Sequence, residues 1–181
     1  MLNQSTFRIV LTLSVVALSI KCTDIHYMDN FEPLKYFGRW YQVARTKASG
    51  KQTYDYVFSE YHQGPNQTIA LRNWFKREDG SYGGVEGWGE ADASGLPGRF
   101  KFHIEVPLSE DIITNYWIVD TDYYNWAIIY SPSTGLLKEQ DTAFVLSRMV
   151  PMDHDVLSYA FGFMRKYTGL TEDMFDITNS L

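Results

Sequence analysis

Cysteine is the residue this chain most conspicuously lacks: Cys22 is the only one among 181 residues. A lone thiol forms no bridge within the chain, so stability must come from packing. Its solitude also excludes a zinc site built on cysteines, and the four histidines (His26, His62, His103, His154) are scattered along the sequence. Positive charge is scarce as well. Lys and Arg number 16 against 22 Asp and Glu, a net charge of -6, which argues against the basic surface that a nucleic acid needs. Glycine-flanked serine motifs are missing. The carboxylate pairs Asp120/Asp122 and Glu78/Asp79 fall in turns, where solvated turn formers are expected rather than acid–base catalysts. No enzyme and no cofactor is expected.

Long apolar runs are also lacking, with one short exception. Met1 to Arg8 is a polar start with one positive charge, and Ile9 to Ile20 is apolar apart from Thr12, Ser14 and Ser19. A dozen residues is too short to span a bilayer and fits the core of a signal peptide. Ala17-Leu18-Ser19 places small residues where a signal peptidase reads, so residues 1–19 are expected to be removed, with cleavage after Cys22 as the second option. Lys21 before Cys22 argues against a lipid anchor there. The expectation is a secreted, extracellular protein with no stable membrane insertion, monomeric or weakly homo-oligomeric.

What the chain does have is aromatic side chains: 13 Tyr, 11 Phe and 5 Trp, together 16 %. They favour strands and fill large apolar volumes. After a loop from Thr23 to Pro33 the chain reads as strand after strand. Arg39 to Lys47 is extended, and Thr53 to Tyr61 alternates, with Tyr54, Tyr56 and Phe58 on one face. Gly64-Pro65-Asn66 is a turn before the strand Thr68 to Lys76, and Glu78-Asp79-Gly80 is another. Seven of the 13 glycines lie from Gly80 to Gly98, around Val85-Glu86-Gly87-Trp88-Gly89. No helix follows them, which excludes a phosphate-binding loop; inside strands they are expected to mark bulges or bends. Arg99 to Val106, Thr114 to Asp120, Tyr124 to Tyr130 and Thr142 to Met149 complete eight strands. Asp153 reads as an N-cap; Val156, Leu157, Ala160, Phe161 and Met164 form a stripe at helical spacing, and Gly169 ends it. The fold expected is all-β: an eight-stranded antiparallel up-and-down barrel over about residues 30–176, with one C-terminal α-helix packed outside. Eight strands enclose a lumen able to hold one small ligand.

Three stretches carry a family likeness. Phe37-Gly38-Arg39-Trp40-Tyr41 resembles the Gly-x-Trp signature that opens the first strand of lipocalins. The run from Tyr116 to Tyr130, with Thr121-Asp122-Tyr123 at its turn, resembles the second lipocalin motif. Phe144-Val145-Leu146-Ser147-Arg148 resembles the third, an Arg near the end of the last barrel strand. Order, spacing and the following helix agree, and the likeness is greatest to the branch of apolipoprotein D, bacterial lipocalin and retinol-binding protein. The chain departs from most secreted animal members in lacking their disulfides. The resemblance implies structural roles for Gly38, Trp40, Thr121, Asp122 and Arg148, with Arg148 lying across the Trp40 indole, a contact worth about 1–2 kcal/mol.

Alternation and the family likeness together place Tyr54, Tyr56, Phe58, Phe102, Ile104, Tyr116, Ile118, Ala127, Ile129, Phe144 and Leu146 toward the lumen. The third strand is ambiguous: apolarity sends Ile69 and Leu71 inward, whereas the likeness sends Ala70, Arg72 and Trp74 inward. An inward Arg72 would call for a ligand carboxylate, since a buried cation needs a partner. The function expected is carriage of a small hydrophobic molecule such as a fatty acid, retinoid, sterol or tetrapyrrole. One rival is a barrel filled by its own aromatics that acts through loop contacts with a protein. Another is a lipocalin-type isomerase, which would use a lumen Cys, or a haem protein, which would use a lumen His; after export no Cys remains inside, and His103 alternates away from Phe102 and Ile104. Asn66-Gln67-Thr68 is a glycosylation sequon in a turn.

Overall fold

The computed structural model describes Ile25 and residues 28–47, 56–77, 79–106, 108, 110–133 and 141–178. The leader 1–19, Cys22 and Tyr54 lie outside these residues, as does the side chain of Tyr56. A four-residue helix, α1 (Pro33–Tyr36), leads into eight strands: β1 (Gly38–Thr46), β2 (Tyr56–Gln63), β3 (Ile69–Lys76), β4 (Tyr82–Ala91), β5 (Arg99–Ile104), β6 (Ile112–Thr121), β7 (Trp126–Ser131) and β8 (Thr142–Ser147). Each pairs antiparallel with the next, and β1 pairs with both β2 and β8, which closes the barrel. Closure leaves no free edge to template aggregation. Helix α2 (His154–Thr168) follows, then β9 (Phe175–Ile177), which lies along Ala44–Thr46 of β1. The sequence reading has no counterpart to α1 or β9; each is too short to show a period.

Alternation divides the apolar residues between two faces of one wall. Phe102 and Ile104 of β5, Ile118 of β6, Ala127 and Ile129 of β7 and Leu146 of β8 turn inward with Trp40, Tyr61, Ile69 and Leu71. Their neighbours Trp117, Val119, Ile128, Tyr130, Ala143 and Val145 turn outward and are covered by α2 through Ala160, Phe161, Phe163 and Met164. Asp153 caps that helix, its side chain accepting from the backbone N–H groups of Asp155 and Val156. Gly169 ends it in the left-handed conformation, φ 76°.

The glycine-rich strand departs from expectation. β4 runs in unbroken register with β3 and β5, so its glycines are not bulges. Gly83, Gly87 and Gly89 occupy inward positions, where a Cβ on Gly89 would stand 2.6 Å from the Phe102 ring and one on Gly83 2.5 Å from that of Phe75, whereas Gly84 faces outward beside Arg72 and Trp74. Small residues in β4 thus admit large rings from the flanking strands. Register shifts occur instead in β1 (Gln42/Ala44), β2 (Tyr56/Phe58) and β6 (Ile118/Asp120).

One end of the barrel is sealed. Trp40 is fully buried and donates its indole N–H to the carbonyl of Tyr36 at 2.8 Å. The Arg148 guanidinium lies over the Trp40 ring, 3.7 Å from its centroid. Its nitrogens donate to the carbonyls of Lys35, Tyr36, Phe37, Arg39 and Tyr123, at 2.8 to 3.3 Å. Gly38 is needed twice over: its φ is +102°, and a Cβ there would come within 3.2 Å of Arg148 Nη1. Thr121 and Asp122 shape the adjacent β6–β7 turn. Asp122 accepts from the N–H groups of Tyr124, Asn125 and Trp126, and Thr121 Oγ1 donates to the carbonyl of Trp126 at 2.5 Å. Partial burial opposes the Asp122 charge, but those hydrogen bonds outweigh it and hold the carboxyl below the usual carboxylate range.

The five carbonyls raise the expected importance of Arg148 above that of the ring contact alone. Trp40→Ala should cost about 3–5 kcal/mol through the cavity it leaves, and Arg148→Ala about 2–4 kcal/mol through orphaned carbonyls. Arg148→Lys should recover less than half of that loss, because an ammonium cannot span the fork. Denaturant melts decide it; variants within a few tenths of a kcal/mol of wild type would refute the seal.

Candidate ligand-binding site

The other half of the barrel holds a cavity of about 200 Å³. Leu71, Phe102, Ile104, Ile112, Phe144 and Leu146 supply its apolar wall, and Gln42, Ser59, Asn73, Thr114, Asn115, Ser131 and Thr142 its polar one. Tyr61 and Tyr116 border it at the sealed side. Every strand except β4, β9 and the outward positions sends a residue into this space, as the two-residue period of a strand requires. Most of the polar groups satisfy one another. Ser59 Oγ donates to Asn73 Oδ1 at 2.7 Å, Thr114 Oγ1 and Ser131 Oγ share a hydrogen bond of 2.9 Å, and Ser131 Oγ donates to the carbonyl of Asn115.

Of the residues expected in the lumen, Phe102, Ile104, Tyr116, Phe144 and Leu146 border the cavity. Ile118, Ala127 and Ile129 belong to the same inward cluster but are buried in packed protein and do not border the open space. Phe58 is a correction. It stands on the outer face, with Tyr41 at 5.9 Å, Trp74 at 5.8 Å and the Arg39 guanidinium 4.1 Å above its ring. The shift at Tyr56/Phe58 resets the alternation, so Ser59 and Tyr61 point inward instead. Arg72 is the second correction. Ile69 and Leu71 are the buried residues of that strand, whereas Arg72 is exposed, lying 4.2 Å over the Trp74 ring and 3.6 Å from Glu86. Arg72 is thus not a buried cation. His103 also faces out, stacked on Trp88 at 4.1 Å with 6° between the planes.

The sequence reading missed the role of Tyr36 and Tyr61. Tyr116 Oη lies 3.1 Å from Tyr36 Oη and 2.7 Å from Tyr61 Oη, a chain of three phenols between the Trp40 plug and the cavity. Tyr36 stacks on Trp40 at 5.1 Å and meets Tyr61 edge-on at 5.2 Å. Burial pushes the Tyr61 phenol up to about 12, and burial first, with the neighbouring phenols, raises Tyr116 well above its ordinary value. Burial raises Tyr36 likewise. All three remain protonated donors at neutral pH. Among the described residues no group of three His, Cys, Asp or Glu is placed to hold a metal, and no helix is long and apolar enough to cross a membrane.

A lipocalin-like domain model matches residues 32–175, the whole of the barrel and the helix. The chain belongs to the lipocalin family. Apolipoprotein D of Macaca fascicularis is 30 % identical over 131 residues, which cover 71 % of this chain and 66 % of that protein. Retinol-binding protein 4-B of Oncorhynchus mykiss is 28 % identical over 160 residues, covering 82 % and 78 %. Among solved structures, insecticyanin from the tobacco hornworm Manduca sexta superposes with a TM-score of 0.71 at 17 % identity, over 86 % of this chain and 84 % of that one. Lobster apocrustacyanin A1 gives 0.65 at 21 %, over 82 % and 79 %. This lipocalin therefore shares the barrel of those structures.

The buried phenols make the lipocalin barrel alkali-sensitive. A tyrosine in the unfolded chain ionises near pH 10, whereas burial holds the Tyr61 proton to about 12 and keeps those of Tyr116 and Tyr36 well above the ordinary value. The folded state binds more protons in that interval, so their stabilisation is complete below pH 10 and is lost as pH rises through 12. Denaturant midpoints should fall steeply from pH 10 to 12, and less steeply in Tyr61→Phe. Equal slopes in the two proteins would mean that Tyr61 ionises normally.

Proposed function

We propose that this lipocalin is a secreted, non-catalytic carrier that takes a small hydrophobic molecule into the barrel. The observation that carries the reading is the cavity itself: a space inside a sealed barrel, bordered by Phe102, Ile104, Leu71, Phe144 and Leu146, in a family one of whose relatives is named for binding retinol. At about 200 Å³ it is smaller than the pockets of about 300–1,000 Å³ that engulf drug-sized ligands. It suits one end of an elongated molecule, with the remainder directed toward the mouth. Burying about 12 CH₂-sized groups yields roughly 10 kcal/mol. Lost ligand freedom takes back several kcal/mol, leaving a dissociation constant on the order of 10 μM.

Titrating delipidated protein with retinoids, a sterol, fatty acids and biliverdin, read by tryptophan quenching, tests the proposal. At least one ligand should bind near that value. Leu146→Asp should weaken it by more than a hundredfold, because a carboxylate there must stay hydrated or protonate, and Thr142→Trp should block it by filling the space. Tyr41→Phe, on the outer face, should bind as wild type does. If nothing binds below about 100 μM, the filled-barrel reading takes its place, with loop contacts to a protein as the function.

Secretion and modification form the second part of the proposal, supported by the short apolar leader and by Asn66, which stands exposed in the turn between β2 and β3. Intact mass of protein secreted from a eukaryotic host should give a first residue at Ile20 or within about three residues of it. The mass should fall on N-glycosidase treatment through loss of the Asn66 glycan. Finding Met1 on the secreted protein would overturn the leader assignment, and an unchanged mass would overturn the glycan.

A further inference from the structure

The irregularity in β1 decides which of its side chains look into the barrel. Gln42 stands opposite Leu146 and Arg45 opposite Phe144, both on the inner wall. Val43 and Ala44, between them, both pack outward into the core under α2. Strict alternation from Trp40 and Gln42 would turn Ala44 inward and Arg45 outward. The extra residue reverses that, as bulges do when they re-aim a side chain. Arg45 therefore enters the barrel and is buried, 9 % exposed. The inward cation comes from β1, whereas Arg72 of β3 lies outside over Trp74.

Position along the strand matters as much as face. Leu146 and Phe144 are successive inward rungs of β8, about 7 Å apart at the rise of a strand. Arg45 stands at the upper rung, while Tyr61 and Tyr116 border the cavity at its sealed side. Among the described residues, those that border the cavity are all uncharged. Stripping water from a cation is unfavourable unless an anion answers it. A guanidinium has five N–H donors in a planar fork, so it can grip a carboxylate while keeping another partner. One cation answers one negative charge, which favours a monocarboxylate over a phosphate carrying nearly two. Asp176 of β9, exposed, stands opposite Arg45 in the ladder and competes for the same guanidinium.

We infer that the barrel takes an amphiphilic monocarboxylate tail first, its apolar chain filling the cavity and its carboxylate held at the upper rung by Arg45. This rests on the carrier reading and names the ligand class for it. The order of entry follows from the two ends of the space. The cation stands above, and neutral hydroxyls and apolar side chains lie below, where a carboxylate would lose its water without gaining a charge.

A long-chain fatty acid and its methyl ester share one tail and differ at the head, so titrating both into delipidated protein at neutral pH isolates the head. Arg45→Met keeps the length of the stem and removes the charge. It should weaken the acid at least tenfold and leave the ester within twofold. Arg45→Lys should lose less, since the charge remains without the fork. Asp176→Asn, an exposed change that should leave the fold intact, should tighten the acid about twofold and leave the ester alone. The wild-type protein supplies a reading that needs no variant. The isotope-labelled carboxyl of the bound acid should titrate below that of a short-chain acid in water, whereas a carboxyl held in an apolar space titrates above it. An acid affinity unchanged in Arg45→Met, a loss shared equally with the ester, or a bound carboxyl that titrates upward overturns the tail-first inference and leaves the carrier reading standing. Retinol or a sterol binding while neither a fatty acid nor retinoate does overturns the inference alone; failure of every ligand overturns both.

Discussion

The closed end of this barrel depends on one guanidinium. Arg148 comes from the end of β8, yet the carbonyls it holds belong to the segment from Lys35 to Arg39 and to the β6–β7 turn at Tyr123. These segments are far apart in the sequence, and backbone carbonyls buried at a strand entry have few other donors to turn to. The five-donor fork of an Arg answers several of them at once, and the indole of Trp40 fixes its plane. The position of α1 follows, and with it that of Tyr36, which stacks on Trp40 and begins the phenol chain. The depth of the cavity is set from below by this assembly. A change at Arg148 thus reaches the ligand site without any residue of the site being altered.

Above the seal, the wall has to keep apolar residues out of water on both faces. Over β6, β7, β8 and β1 the outer face is covered by α2, whose Phe161, Phe163 and Met164 complete a second core. Among the described residues no helix covers the outer aromatics of β1 to β3, and there the solution is different. Arg39 lies over Phe58, Arg72 lies over Trp74, and Glu60 accepts from both Arg39 and the Trp74 indole. Arginine stems and flat guanidinium faces shield the rings while the charge stays wet. Half-covered aromatics of this kind are sustainable on an exposed sheet face because the polar partner is built in alongside.

That arrangement explains why some of the site was legible in the sequence and some was not. In β5 to β8 the apolar residues alternate with residues destined for the helix side or for solvent, and period-two reading places Phe102, Ile104, Tyr116, Ile118, Ala127, Ile129, Phe144 and Leu146 on the inner face. In β2 aromatics stand on both faces, and a register shift between Tyr56 and Phe58 breaks the period between them. Apolarity then chooses Phe58 for a position that arginine packing has made tolerable outside. In β3 the simple rule succeeds, since Leu71 is buried and Arg72 is not, while the family likeness points the other way. Tyr36 escapes notice for a different reason. It precedes the first strand on a helix of four residues, too short for any periodic signal, and only the three-dimensional course of the chain brings it to Tyr116. The glycines of β4 were visible, but their purpose was not, because the space they leave is filled by rings from other strands.

The polar content of the lumen has a bearing on specificity that an all-apolar surface would not have. A smooth hydrocarbon lining discriminates among guests by volume alone, and a methylene more or less is worth only about 1–3 kcal/mol. Polar groups that pair with one another, as Ser59 with Asn73 and Thr114 with Ser131, add little to that, since their hydrogen-bonding capacity is already used. They let a half-buried wall remain in register and contact a guest through methylenes and amide faces. Discrimination arises where capacity is left over, and a chain of three phenols joined by two contacts has some left by arithmetic. The same burial that raises the pKa of Tyr61 and Tyr116 keeps those groups neutral, so the remaining capacity is that of a donor rather than of a charge. The barrel is thus sealed by the Arg148 fork below Trp40 and floored on its inside by neutral hydroxyls.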